Sequence, residues 1–305
     1  MNKIFVPPIK CQGIKTKLVP WILQNISFDE KGRWVEPFMG SGVVGFNLRP
    51  RKALFCDVNP HLINFYNALK DFSITPNLAR KYLEHEGALL TENPSEHYYL
   101  VRERFNNSND PLDFLFLNRS CFNGLIRFNK RGLFNVPFGH KPNRFSKAYI
   151  TKIINQIEYV FEMIKHHDWE FIAQDFRATF KNFQSDKNFQ SETFIYCDPP
   201  YNGRHVDYFD SWSDEDERDL YSLLRHSKSG FMLSTWHSNK YRENKIFEKN
   251  WEHCEVITKE HFYHVGGSEE NRNPMIEALI MHPQKNLFKQ ARIIPKDIVA
   301  QYQLY

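Results

Sequence analysis

The chain has 305 residues, with 40 Lys and Arg against 36 Asp and Glu, a formal net charge of +4 and an aromatic fraction of 15%. That length can bury one large core or two modest ones, and so small an excess of base makes overall charge a weak guide to a nucleic-acid partner; only local clustering is informative. No apolar run reaches the 18 residues of a membrane span, and Lys3, Pro7 and Pro8 interrupt any leader-like run, so the expectation is a folded α/β protein of the cytoplasm without membrane contact. Five scattered cysteines without a C-x-x-C pair fit reduced core thiols better than disulfides or a metal site.

In chain order, Pro7 to Lys15 is an extended lead-in ending in a Gly turn and a lysine, and a helix is expected over Thr16 to Asn25. Trp34 to Gly45 reads as a short strand, a glycine turn and a helix start. Gly40, Gly42 and Gly45 satisfy G-x-G-x-x-G, in which bare backbone lets a ligand approach, although the match alone is weak. Phe55-Cys56-Asp57 suggests a second strand ending at a carboxylate 15 residues past Gly42, where vicinal ribose hydroxyls could donate to it. An adenosine-containing cofactor is implied, a dinucleotide or S-adenosylmethionine. Glu36 beside the loop favours a sulfonium and ammonium over a pyrophosphate, and hence S-adenosylmethionine.

From Pro60 to Phe116 the pattern is helical. Leu62, Phe65, Tyr66 and Leu69 share one face, Leu78, Tyr82 and Leu89 another, and Tyr98, Val101 and Phe105 a third, while Pro111 suits the first position of a fourth helix. His85, His97 and the charges between them read as a solvated face. Between Phe114 and Ile157 there is no acid, against eight bases in 44 residues, and phenylalanines and asparagines are interleaved with them. A bare charge run is usually only solvated, but basic, aromatic and amide-rich together favour nucleic acid. Asn129-Lys130-Arg131-Gly132 lies between two apolar runs, Leu125 to Phe128 and Leu133 to Val136, so a β-hairpin with a basic tip is expected.

A helix over Lys147 to Ile164 follows, then a strand at Phe171 to Ala173 whose end loop, with Asp175, offers a wall for an adenine. Phe180 to Glu192 reads as an exposed loop. After the central strand come a helix over Asp214 to His226, a strand at Gly230 to Thr235, a helix near Tyr241 to Asn250, and strands at Cys254 to Thr258 and Met275 to Met281. His166-His167 and His261-x-x-His264 lack the cysteines or carboxylates of a metal site, Gly266 to Arg272 reads as a turn, and the stretch after Pro283 is basic and unpatterned.

The apolar run Thr193 to Tyr196 leads into Cys197-Asp198-Pro199-Pro200-Tyr201, where two prolines forbid both ladder bonding and a regular helix. A buried strand should therefore end at Asp198, at the strand end where open α/β sheets place ligands. The Asp198 carboxylate and the Pro199 carbonyl are acceptors, and Tyr201 is a flat face beside them, which suits a planar ring carrying NH2. The chemistry inferred is methyl transfer to an exocyclic amine.

Lys15, Phe38-Met39-Gly40-Ser41-Gly42, Asp57-Val58-Asn59, Leu117 to Leu125 with Phe134 to Gly139, and Asp198-Pro199-Pro200-Tyr201 together resemble, in order, the Dam family (D12 class, alpha group) of adenine-N6 DNA methyltransferases, nearest to modification methylases of the EcoRV type. The resemblance implies a Rossmann-like seven-stranded S-adenosylmethionine-dependent methyltransferase sheet, with a helical plus β-hairpin recognition domain at 60–147 inserted in a catalytic domain formed by 1–59 and 148–305. It implies cofactor contacts at Cys11, Lys15, Phe38, Gly40, Gly42, Asp57, Asp175 and Asp198, and catalytic roles for Asp198, Pro199 and Tyr201. Cys11 departs from the family's Trp. DNA contacts are expected from Phe122, Asn123, Leu125 and Arg127, with Lys130, Arg131 and Asn135 of the same hairpin. A monomer acting on double-stranded DNA, paired with a cognate restriction endonuclease at a GATATC-type site or next GATC, is the implied setting. Cytosine N4 and RNA adenine are alternative acceptors, and a DNA-binding protein without catalysis or a nicotinamide-dependent oxidoreductase are the rivals from other classes.

Overall fold

Seven strands build the computed structural model: β1 (Arg33–Glu36), β2 (Lys52–Asp57), β3 (Asp168–Ala173), β4 (Thr193–Cys197), β5 (Gly230–Asn239), β6 (Glu255–Phe262) and β7 (Pro274–Met281). They form one sheet in the order β3-β2-β1-β4-β5-β7-β6. The first five are parallel, and β7 runs antiparallel between β5 and β6. The structure describes residues 3–184, 192–201, 212–239, 253–262 and 274–282, together with Asn244 and Trp251. Among them no helix is long and apolar enough to cross a membrane, and all five cysteines are free.

Every residue of β4 is buried, which is why Thr193 to Cys197 reads as a continuous apolar run rather than an alternation. Its side chains still divide by parity. Trp34, Phe55, Phe194, Tyr196 and Met232 enter one core, while Val35, Leu54, Cys56, Ile195, Cys197 and Leu233 enter the other. The first core is shared with α1 (Val19–Asn25), α2 (Val43–Leu48), α3 (Pro60–Lys70) and the helices that follow. The second is closed by α8 (Phe176–Gln184) and a helix over Asp214–His226, numbered α9 here. Chain order reverses between β1 and β4, so a crevice opens beyond their carboxyl ends.

Between β2 and β3 lie α4 (Pro76–Glu92), α5 (Pro94–Ser108), α6 (Pro111–Ser120) and α7 (Lys147–His166). Prolines open α3, α4, α5 and α6, where the missing N–H costs nothing, and the side chains of Asn59, Thr75 and Asp110 cap α3, α4 and α6. α3 is also tied to β3, since Asn67 donates to the Phe171 carbonyl at 3.1 Å and Lys70 to that of Trp169 at 2.8 Å.

Several expectations are corrected. The buried face of α4 is Ala79, Leu83, Glu86, Gly87 and Leu90, one position round from Leu78, Tyr82 and Leu89; Leu78 is exposed. The register is drawn by a polar network. His97 is buried, not solvated, and its Nε2 lies 2.7 Å from Glu86 Oε2; Arg104 bridges Glu86 and Asp113, and Tyr82 donates to Asp113. The first helix starts at Val19, because Lys15 to Leu18 form a turn first. Residues 180–184 continue α8, with Phe180 buried, instead of forming a loop. β5 runs on to Asn239. The expected helix near Tyr241 to Asn250, the turn at Gly266 to Arg272, His264 and the stretch after Pro283 lie outside the described residues, apart from Asn244.

The hairpin also differs from a regular ribbon. Its two arms meet only at the bridges Cys121↔Phe138 and Phe128↔Phe134. The outward-facing backbone groups of its second arm are held by α5. Asn106 on α5 accepts from Phe134 N–H at 2.8 Å and donates to the Phe134 carbonyl at 3.2 Å, and the Tyr98 hydroxyl donates to the Val136 carbonyl at 2.8 Å. Pro137 has no N–H to offer. The ladder stops beyond the Phe128↔Phe134 rung because the next one would need an N–H at Pro137, while α5 anchors the outer edge of that arm.

Candidate active site and nucleic-acid interface

Lys15 reaches the crevice from the turn that Gly13 opens at φ +71. Its Nζ lies 2.8 Å from Asp198 Oδ1, 3.2 Å from the Gly13 carbonyl and 4.9 Å from the centroid of the Tyr201 ring. Both partners of the ion pair are largely withdrawn from water, at 5% and 21% side-chain exposure. Burial raises the Asp198 carboxyl above its ordinary value, while the Lys15 ammonium pulls it the other way. The Tyr201 hydroxyl donates to Glu277 Oε2 at 2.7 Å, deep in β7. Glu277 is a site residue that the sequence reading missed, although it is the only acid in the apolar run Met275 to Met281.

Asp57 ends β2 one strand away on the other side of β1. Its Oδ2 accepts from Gly40 N–H at 2.8 Å and its Oδ1 from Asn59 N–H at 2.9 Å, so one carboxylate joins the glycine loop to the start of α3. Each oxygen keeps a lone pair for a further hydroxyl donor. Cys11 sits close by; burial first, and then the Asp57 charge, push its thiol up. The Gln174 N–H donates to the Asp57 carbonyl at 3.0 Å, which brings the β3 end loop to the same rim. Asp175 itself is exposed and accepts from Arg177 N–H at 2.7 Å, capping α8. Phe38 forms an aromatic trio with Phe176 and Trp212, with centroids 5.3 and 5.5 Å away.

The two glycines of the loop do different things. A Cβ on Gly40 would meet nothing within 4 Å, so the space above it is open, whereas a Cβ on Gly42 would come within 2.9 Å of Phe46 and Met39. Both have positive φ, which side chains rarely tolerate. Glu36 does not face that open side. It is 1% exposed, its Oε1 accepts from Trp34 Nε1 at 2.8 Å and the Gly45 N–H donates to its carboxylate, so burial pushes its carboxyl up to about 8. The expectation that Glu36 confronts a sulfonium is therefore corrected: it is an internal brace between β1 and α2. The remaining groups, with open backbone at Gly40, a ribose-type acceptor at Asp57 and an aromatic trio, still fit an adenosine-bearing cofactor.

On the basic segment, Phe122 is exposed and lies in a 3-10 turn over Phe122–Gly124, in which Asn123 takes φ 54. Leu125 is half-buried. Arg127 Nε donates to Asn135 Oδ1 at 2.8 Å, and Asn135 N–H returns a bond to the Arg127 carbonyl at 3.1 Å. Lys130 and Arg131 sit exposed at the tip, where Asn129 Oδ1 accepts from the N–H groups of Arg131 and Leu133. The segment is wired to the crevice through the lead-in. Asn118 accepts from Lys10 N–H at 2.8 Å and donates to its carbonyl at 2.9 Å, and the Lys10 stem covers Gly124.

Comparison with known proteins agrees in sequence. The chain is 38% identical over 200 residues to a DNA adenine methylase of Vibrio cholerae serotype O1, covering 63% of this chain and 64% of that protein. It is 30% identical over 230 residues to the Retron Ec67 DNA adenine methylase of Escherichia coli, covering 72% and 73%. A third similar protein, the type II methyltransferase M.MjaIII of Methanocaldococcus jannaschii, is 30% identical over 215 residues, covering 64% and 68%. Residues 12–265, which include Lys15, both strand-end carboxylates and the basic segment, match the family described as D12 class N6 adenine-specific DNA methyltransferase, and the chain belongs to that family.

Proposed function

We propose that the chain transfers a methyl group from S-adenosylmethionine to N6 of an adenine swung out of double-stranded DNA. The observation that carries this reading is the amine already held at the crevice: the Lys15 ammonium lies against Asp198 over Tyr201, where a planar ring bearing NH2 would place its own donor. A duplex hides adenine N6 within the base stack, so the nucleotide must be everted, and stacking on Tyr201 at roughly 1–3 kcal/mol offsets part of the unstacking cost.

Bound S-adenosylmethionine supplies an electrophilic methyl on a sulfonium sulfur. Asp57 would hold its ribose hydroxyls, the Gly40 to Gly42 loop and Phe38 would flank it, and Cys11, Lys15 and Asp175 complete the proposed contacts. The N6 lone pair is delocalised into the ring and is a poor nucleophile. Hydrogen bonds from N6–H to the Asp198 carboxylate and the Pro199 carbonyl would favour a pyramidal nitrogen as its lone pair forms the new C–N bond, while the methyl–sulfur bond would break and its electron pair return to sulfur, leaving a neutral thioether. The methylated amine then loses one proton, to Asp198 or to water.

Residues 60–147 act in this reading as the target-recognition unit, with α3 as its seam to the sheet, and 1–59 with 148–305 as the catalytic unit. Phe122, Asn123, Leu125, Arg127 and Asn135 read the site, and Lys130 and Arg131 meet the backbone. The protein works as a cytoplasmic monomer and modifies a GATATC-type site, or GATC, for a restriction partner. Methylome sequencing of DNA from cells expressing the protein reports both the modified base and its context. N6-methyladenine in one recurrent palindrome is expected. N4-methylcytosine, or no new mark, would overturn the reading.

A further inference from the structure

We propose that Glu277 is a positioning residue for the transfer, holding the ring of Tyr201 at a fixed angle beside Asp198 through the phenol hydroxyl; this rests on the reading above. The hydroxyl lies at the far end of the ring from the backbone, and its 2.7 Å bond to a carboxylate oxygen is charge-assisted, stronger and more directional than a neutral one. Tyr201 follows Pro199 and Pro200, whose fixed φ restricts the backbone end. The ring is thus held at both ends, and Lys15 lies over one face. A base stacked there would meet a plane that does not have to be ordered first.

Glu277 is expensive to place where it is. It is 1% exposed in β7, facing Trp236 of β5 and Lys259 of β6 in register, among Met275, Ile276, Ala278 and Leu279. An acid buried in mid-sheet costs free energy that a β-branched apolar residue would not. The bond to Tyr201, 76 positions earlier, is a contact an apolar residue could not make. The same carboxylate is near enough to Asp198 to add to burial in raising its proton affinity.

A double-mutant cycle on the full chain tests this, with turnover read from radiolabelled S-adenosylmethionine and duplex DNA carrying the site found by methylome sequencing, and base position read separately on a non-reacting duplex with 2-aminopurine in place of the target adenine. Tyr201→Phe and Glu277→Leu should each lower kcat about tenfold, the equivalent of ~1.4 kcal/mol, with little change in KM for DNA, and should shift the 2-aminopurine emission of the bound duplex alike. The double variant should be no slower than the worse single variant. Glu277→Gln keeps a carbonyl acceptor and should recover most of the activity. Fully multiplicative losses, or a folded Glu277→Leu with unchanged kcat and emission, would overturn the role. Should Glu277→Leu fail to fold, Glu277→Gln made on the Tyr201→Phe background decides, since the role requires it to add no further loss. A wild-type protein inactive on every DNA would sink the parent reading instead, whereas a failed cycle in an active protein sinks only Glu277.

Discussion

Lys15 and Asp198 form an ion pair at 2.8 Å that bridges the lead-in and the end of β4, 183 positions apart in sequence (198 − 15), and neither side chain is well solvated. Removing one partner of such a pair leaves the other uncompensated, typically at a cost of about 3–5 kcal/mol when both are fully buried and less here, where Asp198 keeps some water. Asp198→Asn should therefore abolish methyl transfer and also lower the melting temperature. Lys15→Met in the same chain should restore part of that stability and none of the activity. Calorimetry alongside a radiolabel assay separates the two effects, and retained turnover in Asp198→Asn would contradict the role assigned to the carboxylate.

Arg127 is held side-on by Asn135. An arginine fixed in this way loses little freedom on contacting a base edge, and a good bidentate contact discriminates by roughly 1–3 kcal/mol. Arg127→Ala should lower the ratio of cognate to non-cognate rates by about 10- to 100-fold, and Asn135→Ala should produce a smaller drop of the same kind. Lys130→Ala should weaken binding across all sequences and reduce its salt dependence. An Arg127→Ala protein with an unchanged rate ratio would place recognition elsewhere.

Where sequence spoke clearly, the reason was local. Pro111 and the capping Asp110 mark the start of α6, the unbroken apolar run before Asp198 marks a central parallel strand, and the acid-rich first turn after Ser213 marks α9, whose capping box closes between Ser213 and Asp216. The misses have a common cause in partners far along the chain. His97 looked solvated because its partner Glu86 is 11 residues back on another helix, and the second arm of the hairpin is held along its outer edge by Asn106 and Tyr98, which no pattern within the hairpin reveals. Glu36 looked like a ligand contact because it ends the strand that leads into the glycine loop, yet its bonds go to Trp34 and Gly45. Glu277 was legible only as an anomaly, an acid in an apolar strand, with nothing nearby to say what it meets.

The helical insert depends on its own buried charges. Glu86 and Asp113 have side chains only 5% and 2% exposed, and Arg104 answers both. Arg104→Met leaves two buried acids without their arginine and should cost less than the roughly 3–5 kcal/mol of a fully buried pair in urea unfolding, because the Arg104 side chain is itself 48% exposed, whereas replacing Arg104, Glu86 and Asp113 together by apolar residues should cost less still. Equal losses in the single and triple variants would show that shape, not charge compensation, governs this network.

Glu36 makes folding stability depend on pH. Burial pushes its carboxyl up to about 8 in the folded chain, far above the ordinary carboxylate range it has when unfolded. Between those limits the native state binds more protons than the unfolded state, so this group stabilises most at acid pH, and its contribution declines as pH rises toward about 8. Each unit of difference corresponds to about 1.4 kcal/mol, which makes the effect a few kcal/mol across the window. Glu36→Gln should flatten that slope while keeping an acceptor for Trp34. Denaturation midpoints measured from pH 5 to 9 check it, and parallel slopes in the two proteins would remove Glu36 as the cause.

Gly40 and Gly45 should fail in opposite ways. A Cβ at Gly45 would lie 2.5 Å from Phe55 and 2.7 Å from Glu36 Oε1, so Gly45→Ala overpacks the contact between α2 and the sheet and should cost about 1–3 kcal/mol of stability. At Gly40 nothing lies within 4 Å of such a Cβ, and only the φ of +49 resists it, at roughly 1–2 kcal/mol. The new methyl group would project into the open space beside the N–H that binds Asp57. Gly40→Ala should therefore raise the dissociation constant for S-adenosylmethionine about tenfold or more in calorimetry, out of proportion to its small loss of stability. Gly45→Ala should leave the affinity of the remaining folded protein nearly unchanged. If both variants lost stability and affinity in parallel, the loop would be a packing element alone, and the cofactor would have to be sought at another face of the sheet.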